Sequence, residues 1–173
     1  MPELEVHHDG PRWIPVAAAV LALAAAVSGL LGNLRVTQSN SVKSDAIITA
    51  TRAADTYNEY ESRNIREKIY EAAVASGNAR NPAPLQAIAE HERSFKAPLL
   101  AKAQALDEEA RRAVERAEHL LTAHEILEIG TTLFEIAIVL VSIAALAGTR
   151  LLPLVAAIAS GLGLVATAAG LAY

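Results

Sequence analysis

Cysteine is absent from this 173-residue chain, which excludes disulfides, thiolate metal sites and cysteine nucleophiles. Proline is missing between Pro15 and Pro82, and the interval is filled with Ala, Leu, Glu and Arg, so it can form one long helix. Charge is missing from most of the apolar sequence. Outside residues 35–128 it is carried only by Arg12, Glu135, Arg150 and the acidic leader Glu3, Glu5 and Asp9. A basic excess is missing too: the formal net charge is −4 with both signs interleaved. That pattern offers no stripe to a phosphate backbone, and nucleic acid is not an expected partner. Nucleophile elbows, glycine-rich phosphate loops after a strand and paired carboxylates in a pocket are likewise missing, so neither an enzyme activity nor a cofactor is expected.

What is present is apolar. Hydrophobic residues make up 53% of the chain, and the mean hydropathy of +0.28 is high for a soluble domain. The apolar residues gather in three runs, 13–34, 131–149 and 150–173. Each approaches the roughly 20 residues that a helix needs to cross a hydrocarbon layer of about 30 Å. The first run follows an acidic leader rather than a basic one and is longer than a signal-peptide core, so it reads as a retained anchor. The sequence therefore predicts an all-α membrane protein with three transmembrane helices. Residues 1–12 form an acidic tail, and 35–130 form an extramembrane segment between the first two spans.

The strongest turn signal, Ser76-Gly77-Asn78-Ala79-Arg80-Asn81-Pro82-Ala83-Pro84, lies at 76–84 and divides that segment into arms of similar length. Each arm is about 65 Å long if fully helical. An antiparallel, coiled-coil-like helical hairpin is the simplest closure for a chain that must leave the membrane and return. Leu99, Ala103, Leu106, Ala110, Ala113, Ala117, Leu120, His124 and Leu127 follow alternating steps of four and three, the period of coiled-coil packing. The register continues through Thr131, Phe134, Ile138, Val141, Ala145 and Gly148. On the outgoing arm the expected buried face is Ile47, Ala50, Ala54, Tyr57, Ile65, Ile69 and Ala72. One long helix can leave the first span and continue, with Gly29, Gly32, Asn33 and the polar run 37–41 as the places where an interruption is the alternative, and Pro98 is expected to kink or cap the returning helix. Glu92 with Lys96, Asp107 with Arg111 and Glu108 with Arg112 are spaced as solvated i,i+4 pairs.

Small residues recur every four positions in the spans, as in Ala18, Ala22 and Ala26, Ala25 and Gly29, Ala157 and Gly161, and Ala166 and Gly170. Such faces let backbones approach where lipid gives no hydrophobic drive, and they are expected to serve contacts with membrane lipid's main competitor, a second copy in a homo-oligomer or a larger membrane complex.

The stretch 54–71, Ala-Asp-Thr-Tyr-Asn-Glu-Tyr-Glu-Ser-Arg-Asn-Ile-Arg-Glu-Lys-Ile-Tyr-Glu, resembles the segment beyond the first span of a bacterial family catalogued as domain of unknown function 4337. The run Leu133-Phe134-Glu135-Ile136-Ala137-Ile138, a short basic loop and a last hydrophobic helix are similar to that family's C-terminal end. The resemblance implies architecture and a bacterial inner-membrane home, not a reaction. In two places the chain departs from the family pattern: Glu135 stands where glutamine is often found, and Thr56 where an aromatic is common.

Glu135 is the sharpest functional candidate. With His124, Glu128, Thr131 and Thr132 at helical spacing it could form a polar file into the membrane, which would make an oligomeric proton- or ion-conducting protein the alternative to a structural one. A carboxylate at mid-bilayer costs about 2.5–3.5 kcal/mol on insertion scales. About one turn inside the span, by its position in 131–149, a hydrogen-bonding role is the favoured expectation. His7, His8 and Asp9 adjoin on a short tail without a closed geometry, and His119 and His124 point apart on a helix, so no metal site is expected. The basic loop represented here by Arg150 favours a cytoplasmic N-terminus and a hairpin outside the cytoplasm.

Overall fold

A computed structural model describes residues 13–77, 80–147, 149 and 151–173. The expected acidic tail with His7, His8 and Asp9, the Arg12 and Arg150 charges, Gly148 and part of the 76–84 turn lie outside the described residues. Among those described there are three helices and no strand: α1 (Trp13–Ala75), α2 (Ala83–Ala147) and α3 (Leu151–Ala172). All three contain a stretch long and apolar enough to cross a membrane.

α1 runs for 63 residues without a break, the continuous helix that the proline-free interval allows, with no interruption at residues 29–41. The glycines there serve close approach instead. A Cβ at Gly32 would lie 3.2 Å from His124 Nδ1, and one at Gly29 would meet the Thr131 methyl at 3.7 Å. Pro98 is inside α2 rather than at its start, so it does not cap the helix. At the distal end, Ser76 N–H donates to the Ala72 carbonyl and the Ser76 hydroxyl to that of Ala73. Gly77 then takes φ +69°, a left-handed conformation that glycine adopts without the Cβ penalty. α2 opens with Asn81 Oδ1 accepting from Ala83 N–H at 3.2 Å and the Pro82 carbonyl accepting from Gln86 N–H.

The chain divides into two compact units, one of residues 40–117 and one of residues 1–39 with 118–173. In the first, α1 packs on α2 through alanines and polar groups. Ala103, Ala110, Ala113 and Ala117 of α2 are buried, as the spacing predicts. The buried residues of α1 are Ala46, Ala53, Thr56 and Glu67, not the expected face. Ile47, Ile65 and Ile69 are 68%, 51% and 59% exposed, and Ala50, Ala54 and Ala72 are exposed as well. An alanine seam lets the helix axes approach closely, which favours small or hydrogen-bonded partners over isoleucine on the facing side.

Glu67 is the centre of this face. It accepts from Arg93 Nε at 2.8 Å and Lys96 Nζ at 2.7 Å, while Lys96 also donates to Asn64 Oδ1 and Arg93 to Glu71. Glu92 pairs with Arg63 and Arg66 of α1, and the Arg63 guanidinium lies 4.3 Å from the centroid of the Phe95 ring. Glu92 and Lys96 are therefore cross-helix ligands rather than each other's surface partner. Glu108 holds Arg112 at 3.0 Å as expected, and Arg111 reaches Glu108 in place of Asp107.

In the other unit all three helices meet. The seam on α2 holds through Leu127, Phe134 and Val141, all buried, and Ala137 and Ala144 are buried beside it; Ala145, expected inside, is exposed. The added burial has a cause: α2 here carries a second buried row, Ala123, Gly130, Ala137 and Ala144, which meets α3 at Gly130 and Ala137. Ala137 and Val141 form one cluster with Ala156 and Ala159 of α3, against which Ile14, Ala18 and Leu21 of α1 pack.

Candidate functional site

Where α2 crosses α3, glycine faces glycine. A Cβ at Gly130 would sit 2.6 Å from Thr167 Oγ1 and 3.2 Å from the Gly163 carbonyl oxygen, and one at Gly163 would lie 3.2 Å from the Gly130 oxygen. One turn further, a Cβ at Gly170 would meet Leu127 Cγ at 2.8 Å. The Ser28 hydroxyl, fully buried, joins the three helices by donating to the Leu127 carbonyl at 2.9 Å while its oxygen lies 3.1 Å from Thr167 Oγ1. Thr167 itself donates to the Gly163 carbonyl. Each buried hydroxyl here is satisfied, which an apolar surrounding demands.

The expected polar file is divided between two faces. His124 and Thr131 turn toward α1. His124 Nδ1 lies 3.0 Å from the Gly32 carbonyl oxygen and so must donate to it, while Nε2 is 3.7 Å from Glu128. Thr131 donates to the Leu127 carbonyl beside Gly29. Glu128, Thr132 and Glu135 lie on the exposed flank of α2, where Thr132 donates to the Glu128 carbonyl. Glu125, Glu128, Ile129, Thr132 and Leu133 line an open groove of about 430 Å³ on this flank. Ser142, two turns beyond Glu135, is exposed on the same side and extends the row of polar residues past Val139. Glu135 has no hydrogen-bond or ion-pair partner among the described residues.

The depth of Glu135 follows from its neighbours. Phe134 packs on Gly163, near the midpoint of α3. On α1 the adjoining levels are Gly29, opposite Thr131, and Leu21, packed on the cluster containing Ala137. Glu135 thus stands level with the middle of both apolar segments, deeper than a count from residue 131 implies. α2 reaches the level of these apolar segments with Glu125 and Glu128 still on its surface, and its own apolar run starts late.

The small residues also separate into two groups. Gly170 is buried against Leu127, Gly29 faces Thr131, and Ala18 packs on the core cluster; Ala166 is half-buried. Ala22, Ala26, Ala157 and Gly161 are exposed, and a Cβ at Gly161 would meet nothing within 4 Å. Gly130, Gly163, Ser28 and Thr167 were not singled out by sequence reasoning. The available signal was the seven-residue spacing of Gly163 and Gly170, two turns of one face.

Outside the apolar segments, Glu67 is the most perturbed acid. Hydrogen bonds from Lys96 and Arg93 hold its pKa at about 2, against an ordinary 4.5. The hydrogen bond and charge of Lys68 lower the Glu71 pKa, and Glu67 and Glu90 raise that of Arg93. These shifts come from pairing between helices and within them, and serve cohesion.

A family described as Domain of unknown function (DUF4337) matches residues 11–173. The chain belongs to that family. No curated protein and no solved structure matches the chain. The DUF4337 match takes in all three helices together with the 76–84 turn, so the family pattern covers the helix crossing at Gly130 and the Glu67 network alike.

Proposed function

We propose that this DUF4337 protein is a non-enzymatic, multi-pass structural component of the bacterial inner membrane, working as a homo-oligomer or as an accessory subunit of a larger complex. α1, α2 and α3 cross the bilayer with residues 13–34, 131–149 and 150–173. Residues 35–130 form an antiparallel helical hairpin with coiled-coil-like packing, on the extracytoplasmic side. The observation that carries this reading is the division of its small residues: Gly130, Gly163 and Gly170 are spent on contacts inside the chain, while Ala22, Ala26, Ala157 and Gly161 remain on open faces. Lipid-exposed small-residue faces are the means by which membrane helices associate. The hairpin's ionisable groups support the same reading, since Glu67, Arg93, Lys96 and Glu92 link its two helices to one another.

A second reading has one observation in its favour, the partnerless Glu135 at mid-layer, which would suit a proton or ion path between subunits. Subunit counting in detergent, combined with proton flux into liposomes for the native chain and Glu135→Gln, separates the two. A defined oligomer without flux is expected. Flux that the substitution abolishes would move the assignment to conduction.

A further inference from the structure

The hairpin has two different interiors. Toward residues 40 and 117 the buried residues are Ala46, Ala53 and Thr56 of α1 against Ala103, Ala110, Ala113 and Ala117 of α2. In the outer stretch between Thr56 and Ala103, only Glu67 and Ala89 are buried among the described residues, with Tyr60, Val74, Leu85 and Leu99 half-buried. The row pattern shows what has changed. Glu67 continues the seven-residue spacing of Ala46 and Ala53, and Lys96 stands between Ala89 and Ala103 where the α2 row would have another alanine. Every ion pair between α1 and α2 among the described residues falls in this outer stretch: Glu67 with Arg93 and Lys96, Glu71 with Arg93, and Glu92 with Arg63 and Arg66. We propose that the outer stretch is an acid-released clasp, whose two helices part while the alanine-packed stretch stays closed. This rests on the hairpin of the proposed function and gives that hairpin a movable end.

The charges around Glu67 set the direction of the response. Asn64 and Glu71 of α1 and Arg93 and Lys96 of α2 adjoin it, with Arg63, Lys68, Glu90 and Glu92 around them. The carboxylates of Glu67, Glu71 and Glu92 are what holds the cations of the two helices together. Their protonation leaves Arg63, Arg66 and Lys68 on one helix opposite Arg93 and Lys96 on the other, and attraction gives way to repulsion between like charges. Hydrogen bonds from Lys96 and Arg93 keep the Glu67 pKa at about 2 against an ordinary 4.5. A carboxyl depressed in the folded state holds the clasp fully above pH 4.5 and releases it as pH falls from there toward 2. The alanine-packed stretch buries no titratable group among the described residues, so acid leaves its interior unchanged. Parts of one fold that differ in this way open separately.

The absence of cysteine makes the test clean. In the full-length chain, reconstituted in phosphatidylcholine liposomes, spin labels are attached to Ile69→Cys with Ile88→Cys for the outer stretch and to Ile47→Cys with Val114→Cys for the inner one; all four positions are exposed. Labelled chains are diluted with unlabelled chain, and pulsed electron paramagnetic resonance reads the distance within each. At neutral pH both pairs should show one short distance. As pH falls from 4.5 toward 2 the outer pair should lose at least half of its short-distance population, reversibly, while the inner pair keeps its own. Glu67→Met with Lys96→Met, apolar chains of similar length, should keep the outer pair closed over the same range. An outer pair that stays closed in acid, or that opens only together with the inner one, would overturn the clasp. So would a methionine double variant that opens in acid like the native chain or is already open at neutral pH. No short distance in either pair of the native chain at neutral pH would overturn the hairpin itself.

Discussion

Gly130→Ala is the substitution that most sharply probes how the three helices cohere. The added Cβ would stand 2.6 Å from Thr167 Oγ1, 3.2 Å from the Gly163 carbonyl oxygen and 3.3 Å from Ser28 Oγ. None of these can swing aside freely: the Thr167 hydroxyl donates to the Gly163 carbonyl and the Ser28 hydroxyl to that of Leu127. The helices must separate by several tenths of an ångström, or two hydrogen bonds must break. Overpacking of a tight core typically costs about 1–3 kcal/mol, and hydrogen bonds between membrane helices average about 0.6 kcal/mol, so a loss of about 1–3 kcal/mol is expected. Alanine's better helix propensity recovers at most about 1 kcal/mol. The assay is reversible unfolding of the full chain in mixed micelles by SDS titration, followed by helical circular dichroism. Thr167→Ala alone should cost less, and in the double variant the two effects should fall well short of additive because the closest clash is gone. A neutral Gly130→Ala, or strict additivity with Thr167→Ala, would refute the glycine-to-glycine crossing.

Other outcomes follow from the same contacts. Because Glu67 is held at about 2 in the folded state against 4.5 for an ordinary glutamate, its contribution to stability is fully present above pH 4.5 and drains away as pH falls from there toward 2; acid titration of the full chain should show this loss and Glu67→Gln should flatten it. Within its own chain Gly161→Ala meets open space whereas Gly170→Ala meets Leu127, so the unfolding free energy of the single chain in SDS should be unchanged by the first and lowered by about 1–3 kcal/mol by the second. Gly77 adopts φ +69°, so Gly77→Ala should destabilise the turn by about 1–2 kcal/mol and Gly77→Asn by less, read from thermal melting.

The three helices, the break between α1 and α2 and the α2 seam as far as Val141 could be read from the sequence, because they rest on period and on glycine and proline placement. The packed face of α1 could not. A ranking by hydrophobicity selects Ile47, Ile65 and Ile69, yet close approach to an alanine seam favours Ala46, Ala53 and Thr56, and Glu67 is buried only because Arg93 and Lys96 reach it from α2. The second buried row of α2 was hidden for a related reason: Ala123, Gly130, Ala137 and Ala144 look like ordinary small residues until α3 lies against them. Glu135 could be found as a candidate by its isolation in an apolar run. Its depth could not, since that is set by where α1 and α3 align with α2 rather than by the start of its own run.

Single-cysteine labelling at Gly77 and Thr149 with an impermeant thiol reagent, in intact spheroplasts and after permeabilisation, tests the three-span architecture directly. Position 77 should label from outside and position 149 only after permeabilisation, with a cysteine at Leu23 protected in both. Labelling of 77 and 149 from the same side, or free labelling at 23, would contradict it.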